Sequence, residues 1–313
     1  AEWRAKVEAD LKGADFNKKL VWRTNEGFDV QPVYRAEDIA DFKTTDSLPG
    51  QYPYVRGTRT DNDWLTRQDI IAETAEEANK MALDVLTKGV TSLGFKVAAP
   101  EDVATLLNGI ALDKVEINLT CCPGKVVEVA KALVAAVEAA GAKDTFRGSI
   151  DYNPLRRQFR HGVEGVDAAA IAAKACELLD VVAPVPALRC LTVDSDILAN
   201  AGAFIYQELG YALAWGAQWM TLLTDAGRTA EEVAMRIKFN ICVSSNFFME
   251  IAKFRAARML WAQIVKQYGA DEAAAKMLVN ATTSRFNQTI YDAHVNLLRS
   301  HCLLYTSPSP RDR

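Results

Sequence analysis

Residues 237–269 read IKFNICV, then SSN, then FFMEIAKFRAARMLWAQIVKQYG. The first seven residues are apolar and β-branched enough for a buried strand. Ser245 or Asn246 can cap the helix that follows, and Gly269 can end it in the left-handed conformation. Phe247, Ile251, Phe254, Trp261 and Val265 fall on one helical face, and Phe248, Ala252, Ala256 and Met259 widen it. A helix this apolar is mostly covered. The stretch is one βα unit of a parallel sheet.

The same unit recurs on either side. Thr74 and Glu77 form a capping box for a helix running to about Lys88. Strands are expected at 91–97, 115–121, 145–151, 188–194, 237–243 and 277–283. Helices are expected at 100–108, 125–140, 167–182, 199–215 and 229–236. Six β-then-α units without hairpins require parallel pairing through right-handed crossovers. A doubly wound open sheet and a (β/α)8 barrel both fit that alternation. Ahead of it, residues 46–66 carry Pro49, Gly50, Pro53 and Gly57 and form a loop over one end of the domain. Residues 1–45 form an arm: Trp3, Val7 and Leu11 recur at helical spacing, and a hairpin-like turn falls at Asn25–Gly27.

The 313 residues carry a formal charge of −4, and half are hydrophobic, which suits a large globular core. The mild acidity argues against nucleic acid or an anionic membrane as partner. No run approaches about 18 apolar residues, so no membrane span is expected, and no secretory leader is visible. The six cysteines lack C-x-x-C spacing and read as reduced thiols of a cytoplasmic protein. The three histidines, His161, His294 and His301, form no metal-binding pattern. No glycine-rich phosphate loop is present.

The wording of the central helix, N-F-F-M-E-I-A-K-x-R-A-A-R-x-L-W, resembles the methylmalonyl-CoA mutase family. Glu26-Gly27 through Pro32 and Tyr34, Pro53-Tyr54-x-Arg56-Gly57, Trp64-x-x-Arg67-Gln68 and Thr74-Ala75-Glu76-Glu77-x-Asn79-Lys80 agree with it. The resemblance covers about residues 20–299 and decides for a (β/α)8 TIM-type barrel. It implies acyl-CoA threaded through the barrel centre and adenosylcobalamin on a separate C-terminal domain. It also implies an N-terminal arm that wraps a partner subunit, with Trp3 and Trp22 as interface residues. Packing of that arm on the chain's own barrel is the equal alternative.

The catalytic positions implied by the resemblance are altered. The family's G-Y-H-M-Q-E-A-G-A becomes 195–203 here, with Asp196 at the tyrosine and Ile197 at the histidine that hydrogen-bonds the migrating thioester carbonyl. Isoleucine cannot donate such a bond. The loop that carries the family's radical-caging tyrosine is shorter here and has none; Asn62 and Asp63 stand where Arg-Pro is expected. The family's Q-N-D becomes Asp151-Tyr152-Asn153, and Asp151 is expected to repel a substrate carboxylate. The family's T-H-S-Q-T-S-G-W becomes 279–286, with Asn280 and Thr282 for His and Gln. Arg285 replaces a glycine and is expected to crowd the channel. Asp292-x-His294 imitates part of a cobalamin-ligand motif, but Leu297 replaces its glycine, so it reads as a helix surface.

These departures point to a non-catalytic small (β) subunit of a heterodimeric isomerase. Cobalamin and acyl-CoA are then expected on the large-subunit partner, and none on this chain. An active acyl-CoA mutase of altered specificity and a lone acyl-CoA-binding barrel are the alternatives. Residues 301–313 are expected to be a disordered, artefactual tail, because 302–312 (CLLYTSPSPRD) matches the translation of a sequencing adapter. The chain then reads as a fragment with a partial barrel at 46–300. Six strands cannot close an eight-stranded barrel, so its first and last strands should have unpaired edges.

Overall fold

Seven parallel strands run in sequence order through a single sheet in a computed structural model that describes residues 2–61, 63–162 and 167–306. They are β3 (Arg67–Ile70), β4 (Ser92–Lys96), β5 (Glu116–Thr120), β6 (Gly148–Tyr152), β7 (Leu188–Asp194), β8 (Ile237–Val243) and β9 (Val279–Thr283). The arm ahead of them carries helices α1 (Glu2–Asp10) and α2 (Phe16–Leu20) and an antiparallel pair, β1 (Trp22–Arg23) with β2 (Asp29–Val30). That pair closes the expected turn.

Each crossover places helices on the outer face of the sheet. They are α3 (Ala75–Leu86), α4 (Asp102–Leu107), α5 (Val126–Ala139), α6 (Leu155–His161) with α7 (Ala168–Val182), and α8 (Asp196–Asn200) with α9 (Ile205–Asp225) and α10 (Ala230–Arg236). They continue with α11 (Phe247–Gln267) and α12 (Ala293–Thr306). Thr74 accepts the Glu77 N–H to start α3, while the Glu77 carboxylate reaches back to the N–H of Glu73 rather than of Thr74. Asp167 caps α7 by accepting from Ala169 and Ala170. Gly269 ends α11 at φ +88°, where a side chain would be strained.

The seven strands correct the expected six. Arg67–Ile70 escapes a periodicity reading because it is short, polar and half exposed, as an edge strand can be. The helix expected at 199–215 is two helices, α8 and α9, separated at Gly202, which takes φ +97°. Helix α6 has no counterpart in the sequence reading. The last helix, α12, continues to Thr306, into the segment read as a disordered tail, and residues 307–313 lie outside the described residues.

Strands β3 and β9 do not pair with each other, yet the sheet is strongly curled. Residues from all seven strands wall one cavity, from Arg67 on β3 to Ala281 on β9. The architecture is an incomplete (β/α)8 TIM-type barrel. Its outer face is apolar: Phe239 meets Trp261 of α11 edge-on at 4.8 Å, and both are buried. The loop at 46–66 covers the N-terminal end of the strands. There Tyr54 is buried, donates its hydroxyl to the Glu272 carbonyl at 2.5 Å, and accepts from Arg258 at its own carbonyl.

Two glycines are forced by close packing. A Cβ on Gly148 would lie 2.1 Å from the Ile117 carbonyl oxygen of the neighbouring strand, and one on Gly216 would lie 2.6 Å from the Trp261 ring. The first obstacle is backbone and cannot swing aside. We expect Gly148→Ala to cost about 1–3 kcal/mol by overpacking, read as a lower urea midpoint with an unchanged m-value. No loss would mean that β5 and β6 are further apart than this.

Candidate functional site

The axial face of the barrel is polar, which is unusual for parallel strands covered on both sides. In β8 the alternation is Lys238, Asn240, Cys242 facing the axis against Phe239 and Ile241 facing the helices. The assignment of faces follows from contacts. Lys238 reaches over β7 to β6, where its ammonium lies 2.5 Å from Asp151 and 2.6 Å from the Ser149 hydroxyl. Only the concave face permits that reach. Ser149 donates to Asn118 on β5, Asn118 donates to Ser92 on β4, and Ser92 donates to Glu116. Thr192 on β7 also donates to Asp151. One hydrogen-bonded layer thus spans five strands.

A second layer lies nearer the C-terminal ends. Asp194 on β7 is 2% exposed at its side chain and accepts from Asn153, Asn240 and Arg156 at 2.7, 2.5 and 2.8 Å. Asn280 on β9 donates to Asn240 and extends the layer to the sheet edge. Asp194 is therefore saturated by donors and ion-paired with Arg156.

The site residues expected from sequence fall in different places. Asp151 is nearly buried and is no free charge. Burial raises its pKa, but the Lys238 charge and hydrogen bond, with Arg67 and Ser149, outweigh burial and hold it below the ordinary carboxylate range. A lowered acid contributes its stability above the unfolded pKa and loses it only as pH falls through the folded value. At neutral pH the pair is intact, so the expected repulsion of a substrate carboxylate is corrected: Lys238 cancels it. Asn280 and Thr282 do face the axis on β9, and Thr282 lies 3.9 Å from the Cys242 sulfur. Ile197 sits in α8, half-buried and packed on the core. Asp196 opens the same helix, and its carbonyl accepts from Cys242. Arg285 is exposed beyond β9, with its backbone N–H on the Asn200 side chain. Asn62 lies outside the described residues.

On the arm, Trp3 is 39% and Trp22 46% exposed. Trp3 packs edge-on to Phe16 of α2, which is itself covered by Arg4. Exposed apolar residues continue along the segment at Phe28, Tyr34, Phe42 and Leu48.

Sequence reading missed Lys238, Asp194, Asn118 and the lysine behind the sheet, Lys253. The available signal was the period-two polarity of strands that should be uniformly apolar. The Asp292-x-His294 motif lies at the start of α12. The Asp292 carboxylate accepts the N–H groups of His294 and Val295 at the start of α12, and the His294 side chain is exposed. Among the described residues no cluster of three His, Cys, Asp or Glu side chains could hold a metal ion, and no helix is long and apolar enough to cross a membrane.

The family model for methylmalonyl-CoA mutase matches residues 23–101 and 90–304. A methylmalonyl-CoA mutase small subunit from Porphyromonas gingivalis is 52% identical over 306 residues, covering 95% of this chain and 49% of that protein. A small subunit from Streptomyces virginiae is 32% identical, covering 96% of this chain and 50% of that protein. The large subunit from the same organism is 28% identical, covering 96% and 45%. The chain spans about half the length of these relatives.

Proposed function

The chain belongs to the methylmalonyl-CoA mutase family, and from that premise we propose that it acts as the small, non-catalytic subunit of an adenosylcobalamin-dependent isomerase. In this reading a large subunit interconverts methylmalonyl-CoA and succinyl-CoA and holds both the cobalamin and the acyl-CoA. This chain supports it in a heterodimer. The observation that carries the reading is the ion-paired layer across the barrel axis. An acyl chain threaded along that axis would have to separate Lys238 from Asp151, whose side chains are only 3% and 10% exposed. Parting a buried pair leaves two uncompensated charges, which costs about 3–5 kcal/mol for one partner alone. Ile197 adds to this, since it offers no donor to a developing oxyanion.

What this chain's residues do in the reading is structural. Lys238, Asp151 and Asp194 fix the curl of the sheet, and the arm presents Trp22, Phe28 and Tyr34 to the partner. Aromatic anchors of this kind carry much of an interface's energy. Trp22→Ala in the full-length subunit is expected to weaken assembly about tenfold or more, with the large subunit's turnover per assembled complex unchanged. Sedimentation of the mixed subunits beside activity assays reads both. Undiminished assembly of the variant would move the interface away from the arm. Turnover by the isolated full-length subunit with added adenosylcobalamin would overturn the non-catalytic reading itself.

A further inference from the structure

We propose that Cys121 and Cys122 form a reversible oxidation site, closing to a disulfide between adjacent residues when a peroxide reaches Cys122. The site goes beyond the small-subunit reading and uses none of its residues. The pair stands in the turn that follows β5, which ends at Thr120. It is therefore at the C-terminal end of the strands, the face that the βα loops of such a barrel build.

Five free thiols lie among the described residues, in different surroundings. Cys190 and Cys242 are buried, and burial pushes each thiol up to about 12. Thiols so far from the thiolate form are inert to oxidants. Cys176 is half-buried on α7. Cys122 is the exposed one of the five. Its sulfur leans over Gly124, where an added Cβ would lie 3.9 Å from it, so no side chain of that residue shields it.

Cys121 is the second thiol. It is half-buried and packs against the core. Burial, with Cys122 and then Asp151 adding to it, pushes the Cys121 thiol up to about 11. Such a thiol is slow to meet an oxidant from solution. It needs no diffusional encounter to reach a sulfur on the next residue, and groups fixed as neighbours react as if at very high concentration. The order of events follows: Cys122 reacts first, and Cys121 resolves it.

The steps balance with hydrogen peroxide as the sole oxidant. The Cys122 thiolate attacks one peroxide oxygen, the O–O bond breaks, and Cys122 becomes a sulfenic acid as water leaves. Cys121 then attacks the Cys122 sulfur, the S–O bond breaks, and the oxygen leaves with the Cys121 proton as a second water. The two sulfurs give up two electrons in all, and the peroxide takes both. Adjacent Cα atoms are about 3.8 Å apart, closer than the roughly 4.4–6.8 Å of ordinary bridged cysteines. The ring is therefore strained, and strained disulfides are the ones that dithiols readily reopen. Closure also has an outlet in the fold. The Cys122 carbonyl accepts the Lys125 N–H at 2.9 Å, and α5 starts from Lys125, so the ring forms at the joint between β5 and its covering helix.

Trypsin gives a direct test, because residues 115–125 form one peptide that holds both cysteines and no other. The full-length protein is treated with hydrogen peroxide, then with N-ethylmaleimide, and digested. The peptide is expected unalkylated and lighter by two hydrogen atoms, and dithiothreitol is expected to restore both thiols. Cys121→Ser is expected to leave Cys122 as a sulfenic acid with nothing to resolve it, raising its labelling by dimedone about tenfold or more over wild type. Cys122→Ser, a change at an exposed position, is expected to spare Cys121 at the same peroxide dose. Should Cys121→Ser not fold, the wild-type peptide mass and the Cys122→Ser arm decide. Sulfinic acids on both cysteines without the internal disulfide, a disulfide between two copies of the chain, equal dimedone labelling of wild type and Cys121→Ser, or oxidation of Cys121 in Cys122→Ser would each overturn the proposal.

Discussion

Lys253→Met is expected to destabilise the fold by about 3–5 kcal/mol, the usual cost of stripping one partner from a buried charge cluster. The ammonium lies 2.6 Å from Glu208 of α9, 2.7 Å from Glu250 of its own helix α11, and 2.7 Å from the Cys242 carbonyl at the end of β8. The three side chains are 1%, 1% and 0% exposed. The carboxylates are also tethered: Glu208 accepts the Cys242 N–H at 2.7 Å, and Glu250 accepts the Ser244 N–H at 3.0 Å together with the Ser244 hydroxyl. The triad thus ties two covering helices to the C-terminal end of β8.

Two carboxylates share one ammonium, and this sets the sign of the pH dependence. Burial, more than Lys253 can offset, raises the Glu208 pKa. A raised acid holds its proton in the folded state at pH values where the unfolded chain has lost it, so its contribution to stability falls as pH rises through that window. Removing Lys253 deepens the effect, and the loss at pH 8 should exceed the loss at pH 5. Urea unfolding of wild type and variant at both pH values measures it. A loss under about 1 kcal/mol at both would mean that the triad is solvated. Replacing the whole triad by apolar residues of similar volume should recover much of the stability, because the desolvation penalty then disappears.

The legibility of the sequence divides along the same physical line. Elements whose partners are covering layers could be read locally. Residues 237–269 announce a buried strand and a covered helix because both faces must be apolar, and α11 ends where Gly269 places it, although Asn246 stands at its start without a side-chain cap. β3 could not be read this way, since an edge strand of RQDI carries no apolar run. The family wording at Trp64-x-x-Arg67-Gln68 covers that strand without revealing that it is one. Charges were harder still. Asp151 gains its meaning from Lys238, 87 residues later, and the two meet only because the sheet curls. The polar axis itself was legible in Lys238, Asn240 and Cys242 alternating with Phe239 and Ile241, had the strand been read for two faces rather than one.

Ile197→His is expected to leave the isolated full-length subunit without turnover. The resemblance that places a histidine at this position makes the substitution the obvious repair, and a single positioned donor is typically worth about 10²–10³ in rate. Groups that act as a unit do not return their share one at a time. Ile197 sits in α8 with its side chain packed on the core, so an imidazole there must first displace that packing. The axis below stays closed by Lys238 and Asp151, with Ser149 and Thr192 bonded into the same layer. The substrate carbonyl therefore never arrives within reach of the new donor. Opening the axis as well, by Lys238→Met with Asp151→Leu, removes the barrier without supplying the other altered positions at Asp196, Asn280 and Thr282. The measurement is conversion of methylmalonyl-CoA by each variant with added adenosylcobalamin, beside the reconstituted pair of subunits. A rate from Ile197→His alone within about 10³ of the reconstituted pair would show that the axis opens on its own and that one donor was all it lacked.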